Sequence, residues 1–182
     1  KTMADSILSR ADVLALLTPA AASISTQDLR DVEVSRSQYA GILFSNFGAP
    51  ASILGVTTTA EKITVFDTNA NAAGITPDQA NDRLVVLVAG DYLVSIGSSF
   101  GGDSATVFDF IAYGGPSGAP VATECKFRRK LGTGGSGDIG RAAAQAIVPL
   151  NAGDVIECWI ASDSGAGKDA AIANLTLTAL LL

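Results

Sequence analysis

The side chains that carry most enzyme chemistry are sparse in this sequence, and the gaps inform as much as the residues present. Among its 182 residues there is no histidine, so the commonest general base and the commonest metal ligand are both missing. The two cysteines, Cys125 and Cys158, fall in stretches that read as strands, where a free thiol behaves as a small buried hydrophobe. A cross-strand disulfide is the alternative; a zinc site would need histidines or a CxxC pair. Gly132-Thr-Gly-Gly-Ser-Gly137 spells GxGxxG, but a dinucleotide loop follows a parallel strand and opens a helix. Here the loop runs into another strand-like segment at Arg141, so it reads as a turn. The segment Ser162–Asp169 fails as a phosphate loop. Ser162 stands where the first glycine is needed, and Asp169 where a hydroxyl would hold magnesium. Asp67, Asp78, Asp82 and Asp103 lie in loop-like stretches without the spacing of a calcium loop. The sequon Asn174-Leu-Thr176 sits inside a strand pattern. No pairing nominates an active site, so the expectation is a protein that is not an enzyme and holds no cofactor and no metal.

The wider composition narrows the class. A hydrophobic fraction of 48% allows a sizeable core, and 19 glycines suit many tight turns. A net charge of −6 argues against a nucleic-acid surface, which needs a basic stripe. No run of apolar residues is long enough to span a membrane as a helix. Val13-Leu-Ala-Leu-Leu17 followed by Ala20-Ala-Ala-Ser23 resembles a signal peptide in outline, but Asp5 and Asp12 spoil its basic leader, so no secretion signal is expected. The one dense basic cluster is Lys126, Arg128, Arg129 and Lys130. Strand alternation sends Arg129 to the face opposite the other three, and a solvated strand face is its plainest reading.

The chain divides near residue 36. Residues 1–36 read as a helical arm. Ile7, Leu8, Ala11, Leu14 and Leu17 share one face, Pro19 ends that helix, and a short second helix would carry Leu29 and Val32. An arm of this size cannot bury its own apolar face, so it needs a surface to dock on. From residue 37 to 182 the signals are strands and turns, about nine strands at the spacing of a sandwich. They are Gln38–Phe44, Glu61–Phe66, Arg83–Val88, Asp91–Phe100, Thr106–Tyr113, Val121–Lys130, Arg141–Leu150, Val155–Ala161 and Ala173–Leu182. No helical period separates them, which excludes a parallel βαβ design.

One phrase occurs twice, as Leu87-Val-Ala-Gly-Asp-Tyr-Leu-Val-Ser-Ile96 and Leu150-Asn-Ala-Gly-Asp-Val-Ile-Glu-Cys-Trp159. Each is read as a glycine turn with positive φ, an aspartate bonding the turn, and then an alternating strand. On this reading Arg83–Val88 and Asp91–Phe100 pair across Gly90. Ala142, Ala144, Ala146, Val148 and Leu150 share one face, where small side chains let a neighbouring surface come close. The last strand carries no charge after Asp169, so it must be central in a sheet or buried between subunits. In Val155–Ala161 the apolar Ile156, Cys158 and Ile160 should face inward. Trp159 and Glu157 then lie outside, within reach of Lys126 and Arg128 of a neighbour.

Several of these segments resemble a known family. Gly90, Tyr92 and Val94 match the "Gly-x-Tyr-x-Val" strand of the complement and tumour necrosis factor superfamily of trimeric globular heads. Leu150, Gly153, Asp154 and Val155 match its "Leu-x-x-Gly-Asp-x-Ile/Val" strand. Together with Ile75–Leu84 and Glu124–Gly135 they are similar to phage structural proteins that use the same jelly roll. The resemblance covers about residues 38 to 182. It implies an all-β antiparallel jelly-roll sandwich, a homotrimer, and binding or scaffolding instead of chemistry. The expected trimer interface is Trp159, Ala144, Ala146, Leu177 and Leu181, and the expected attachment residues are Ile7, Leu8, Leu14, Leu17 and Leu29. The protein is then expected in the virion, as a trimeric capsid decoration or short head fibre docked on a capsid or other virion protein. The alternative is a receptor-binding tip of a tail fibre recognising a host-surface glycan or protein.

Overall fold

The computed structural model describes residues 38–133 and 139–182. The helical arm and its attachment residues Ile7, Leu8, Leu14, Leu17 and Leu29 lie outside the described residues. Among the described residues there are twelve strands: β1 Tyr39–Ser45, β2 Ala51–Val56, β3 Glu61–Lys62, β4 Thr68–Asn69, β5 Ile75–Asp78, β6 Arg83–Val86, β7 Gly90–Gly102, β8 Val107–Pro116, β9 Val121–Lys130, β10 Gly140–Leu150, β11 Asp154–Ser162 and β12 Lys168–Leu181. They form two antiparallel sheets. The first runs β10-β7-β12-β1-β4 with β2 also on β12, and the second runs β5-β6-β11-β8-β9 with β3 also on β11. Alternation along β7, β8 and β12 turns Val94, Ile96, Phe108, Phe110, Leu175 and Leu177 into one shared core. This is the expected jelly-roll sandwich.

An aromatic chain ties the sheets together. Phe100 of β7 meets Phe108 edge-on at 5.9 Å and Phe110 at 4.7 Å, and Phe110 stacks on Phe127 of β9 at 4.9 Å. Such pairs contribute about 0.5–1.5 kcal/mol each beyond their buried area. One side of the sandwich closes where β9 lies along β10. There the Cys125 thiol points at the carbonyl oxygens of Val94, at 3.4 Å, and Ala144, at 3.6 Å. Ala144 and Ala146 pack on the core at this seam. The close neighbour anticipated for the alanine face is therefore strand β9 of the same chain. The uncharged last strand takes the central option. Strand β12 pairs with β7, β1 and β2.

The repeated phrase has two meanings. At Leu150–Trp159 the expectation holds. Gly153 has φ +90° with open space around it, and Asp154 accepts from Asn151 N at 2.8 Å. At Leu87–Ile96 it fails, because β6 and β7 belong to different sheets. Strand β6 pairs with β5 and β11, β7 with β10 and β12. Residues 87–89 cross between the layers, and Gly90 already lies within β7. A Cβ at Gly90 would stand 2.5 Å from Leu181 Cδ1, so this glycine makes room for a core side chain. Just before it the Tyr92 hydroxyl, pushed up to about 12 by burial, donates to Val88 O at 2.6 Å and fixes the crossing.

Gly90→Ala and Gly153→Ala should each lower stability by about 1–2 kcal/mol, the first by a clash and the second by backbone strain. In a Leu181→Ala background the Gly90 penalty should disappear while the Gly153 penalty persists. Urea denaturation of the double-mutant cycle checks this; equal additivity at both positions would contradict the two assignments.

Candidate functional site

The chemistry-bearing residues are dispersed or already engaged. Among the described residues no three acidic or cysteine side chains are placed to hold a metal ion. Burial pushes the Asp82 carboxyl up, and its Oδ1 accepts from Phe66 N at 3.0 Å. At Asp78 burial is outweighed by hydrogen bonds from Arg83 and Asn81, which hold the carboxyl below its ordinary value. Cys125 and Cys158 are both free and buried. Burial raises both thiols, and the nearby Cys125 raises Cys158 further. A thiol kept protonated in a core is a poor nucleophile. Thiol titration with a maleimide or disulfide reagent should therefore find no reactive group in the native chain and two after unfolding without reductant. Rapid labelling of the native protein would refute the closed core.

Trp159 is half-buried on the outer face of the second sheet, as its alternation requires. Its partners are in its own chain. The indole stacks on Tyr113 at 4.4 Å, and Nε1 donates to Glu157 Oε2 at 3.0 Å. Glu157 Oε1 receives Lys62 Nζ at 2.7 Å, and Lys62 also donates to Asn81 O. Arg128 clasps Asp109 through two bonds of 2.7 Å, and Lys126 pairs with Glu124 at 3.3 Å. Within the chain, Lys126, Arg128 and Glu157 each have a local partner. The cross-strand pair of Trp159 and Tyr113 should show a coupling of about 1 kcal/mol in a double-mutant cycle on chain stability. A coupling of zero would show that the stack contributes nothing in solution.

The uncovered surface lies elsewhere. The inner rows of β12 and β10 hold Leu177, fully buried, and Leu181, Ala144 and Ala146, packed against the chain's own core. The opposite rows face out. Register lines up Ile147, Leu93, Leu180 and Tyr39 across β10, β7, β12 and β1. Ile147 is 61% exposed, Tyr39 43% and Leu180 41%. The next row is Gln145, Ser95, Thr178 and Gly41; the next Ala143, Gly97, Thr176 and Leu43. Beyond these rows the face is bounded by charge on both sides, by Arg141 beside Ser99 at one end and by exposed Asp91 opposite Pro149, next to the apolar row, at the other. A shallow recess of about 480 Å³, lined by Tyr39, Leu93, Ser95, Gln145, Thr178 and Leu180, sits in this face. An apolar row running over several strands marks a contact surface. Sequence alternation could have nominated Leu93, Ile147 and Leu180 as one set. It could not tell which of the two sets faces the core.

Comparison with known proteins is consistent with this architecture. No family model matches the chain, and no curated protein matches it. Among solved structures it is similar to Eiger, a TNF from S. frugiperda, at 12% identity and a TM-score of 0.55, over 80% of this chain and 93% of that one. It is also similar to murine APRIL, at 12% identity and a TM-score of 0.49, over 80% of this chain and all of that one. The fold is that of the TNF-like jelly roll.

Proposed function

We propose that this chain is a structural protein of a phage virion, assembled as a homotrimer and fastened through residues 1–36 to a capsid or other virion protein. The role proposed is that of a capsid decoration or short head fibre. The observation that carries the reading is the apolar row Tyr39, Leu93, Ile147 and Leu180 on the outer face of the first sheet. A second and third copy of the chain are its occupants. Its three rows carry no charge between Asp91 and Arg141, and closed cyclic symmetry covers such an apolar stretch without leaving an open edge. The resemblance of the Gly90–Val94 and Leu150–Val155 strands to trimeric heads points the same way. The interface residues are then Tyr39, Leu93, Ile147 and Leu180, not the inward-facing Leu177 and Ala144.

Sedimentation of the full chain should give three times the chain mass. Leu180→Glu or Ile147→Glu should raise the dissociation constant about a hundredfold or more, because a lone carboxylate would be desolvated at the contact. Thr76→Glu, on the outer face of the other sheet, should leave it unchanged. A stable monomer at micromolar concentration would rule the trimer out. For the virion assignment, electron microscopy of purified particles carrying a labelled copy should show it at a fixed site. Its absence from the particles would rule that part out.

A further inference from the structure

We infer that the Arg141 end of the first sheet's outer face holds a binding site for a sugar that carries a carboxylate. Three side chains stand there in one outward row over three neighbouring strands: Arg141 of β10, Ser99 of β7 and Asn174 of β12. The row lies six residues along the strands from Ile147, Leu93 and Leu180, about 20 Å at the rise of a strand. The inference does not rest on the trimer reading, and either can fail alone.

The row is polar, and its side chains are not spent on each other. Arg141 is exposed, and among the described residues its guanidinium has no ion pair or hydrogen bond, whereas Arg83 and Arg128 are each paired with an aspartate. Ser99 is only 6% exposed, yet its hydroxyl has no partner among the described residues. A hydroxyl this buried normally has one. The Asn174 side-chain amide is unpartnered in the same way. Beside the row lies a recess of about 330 Å³, lined by Arg141, Ala143, Gly97, Asn174 and Thr176, at the lower end of the range for small-ligand sites. Gly97 is its floor. A Cβ there would stand 3.1 Å from Thr176 Oγ1 and 3.8 Å from Ala143 Cβ, so the missing side chain is what keeps the recess open. Thr176 Oγ1 donates to Gly97 O at 3.3 Å and keeps its lone pairs for a ligand.

These groups together fit one ligand chemistry. A guanidinium presents two parallel N–H donors that match a carboxylate, and Arg141 is the positive charge at the recess. The Asn174 amide and the Ser99 and Thr176 hydroxyls both donate and accept, which suits the hydroxyl groups of a sugar ring. Gly97 and Ala143 let that ring approach the sheet. Inorganic phosphate suits the site less, because its second charge would face one cation and several acceptor oxygens.

The test is an NMR titration of the isotopically labelled full chain with galacturonate and with N-acetylneuraminate, and separately with galactose, acetate and inorganic phosphate. Galactose replaces the carboxylate of galacturonate by a hydroxymethyl group, and acetate lacks the ring. At least one sugar acid should bind with about millimolar affinity, as its size allows, and should move the amide signals of Arg141, Ser99 and Asn174. Galactose, acetate and phosphate should each bind about tenfold more weakly or worse. Arg141→Gln should remove the preference for the sugar acid, and Arg128→Gln, on the other sheet, should change nothing. Arg141 is exposed, so its replacement should leave the rest of the spectrum in place. Absence of shifts with both sugar acids, or an undiminished response in Arg141→Gln, would overturn the site. Equal binding of galactose would overturn the role of the carboxylate, and equal binding of acetate or phosphate would overturn the sugar. Shifts of the same signals on raising the protein concentration alone would show a carboxylate of a second copy in the recess, and would overturn the sugar as its occupant.

Discussion

Strand β12 must be central, and most of the molecule follows from that. It is the longest strand and hydrogen-bonds to β7 on one side and to β1 and β2 on the other. Its inward residues Ala170, Ile172, Leu175, Leu177 and Ala179 are all buried. Exposed at an edge, such a strand would template pairing with other chains. Placed in the middle, its backbone groups are satisfied, and its inward face supports the core layer that Phe100 and Phe110 complete. A register irregularity between Ile172 and Asn174 lets the same strand serve β2 at one end and β1 at the other without losing its inward face.

Much of this order was legible because strand alternation is a local property. Tyr92, Val94 and Ile96 point one way and Leu93 and Ser95 the other by covalent geometry alone. The inward triplet Ile156, Cys158 and Ile160 was legible for the same reason, since its alternative face carries Glu157. What escaped is non-local. Strand β2 has one core-facing side chain of weight in its middle, Ile53, between exposed Ser52 and Leu54, too short an alternation to stand out. Glu61–Phe66 reads as one strand but pairs only at Glu61 and Lys62, because Ile63 and Phe66 bury themselves from an irregular segment. Gly90 and Gly153 sit in the same phrase, yet one yields to a side chain from β12 and the other to a turn. A motif cannot distinguish those causes, since the difference lies in Leu181, far along the chain.

The same limit bears on which residues the proposed interface uses. Small alanines at a strand face signal a close approach, but the approach can come from within. In this fold it comes from β9, whose Cys125 reaches the carbonyls of Val94 and Ala144. Leu180, Leu181 and Leu182 are chemically identical, and only pairing with Tyr39 and Tyr92 decides that Leu180 faces out while Leu181 covers Gly90. Trp159, a typical anchor by residue type, is instead consumed by Tyr113 and Glu157.

The two outer faces of the sandwich therefore solve the same solubility problem in opposite ways. On the second sheet the charged side chains near Trp159 are locally paired, Lys62 with Glu157 and Arg128 with Asp109. Local pairing of this kind adds about 0–1 kcal/mol per exposed pair and keeps the face indifferent to neighbours. On the first sheet the three outer rows between Asp91 and Arg141 hold no charge to pair, only small, hydroxyl, amide and apolar side chains. In the trimer proposed above, such a face is covered by a copy of itself. There the small residues of its middle rows would let the backbones approach, and the larger residues of the end row would give each copy something to fill.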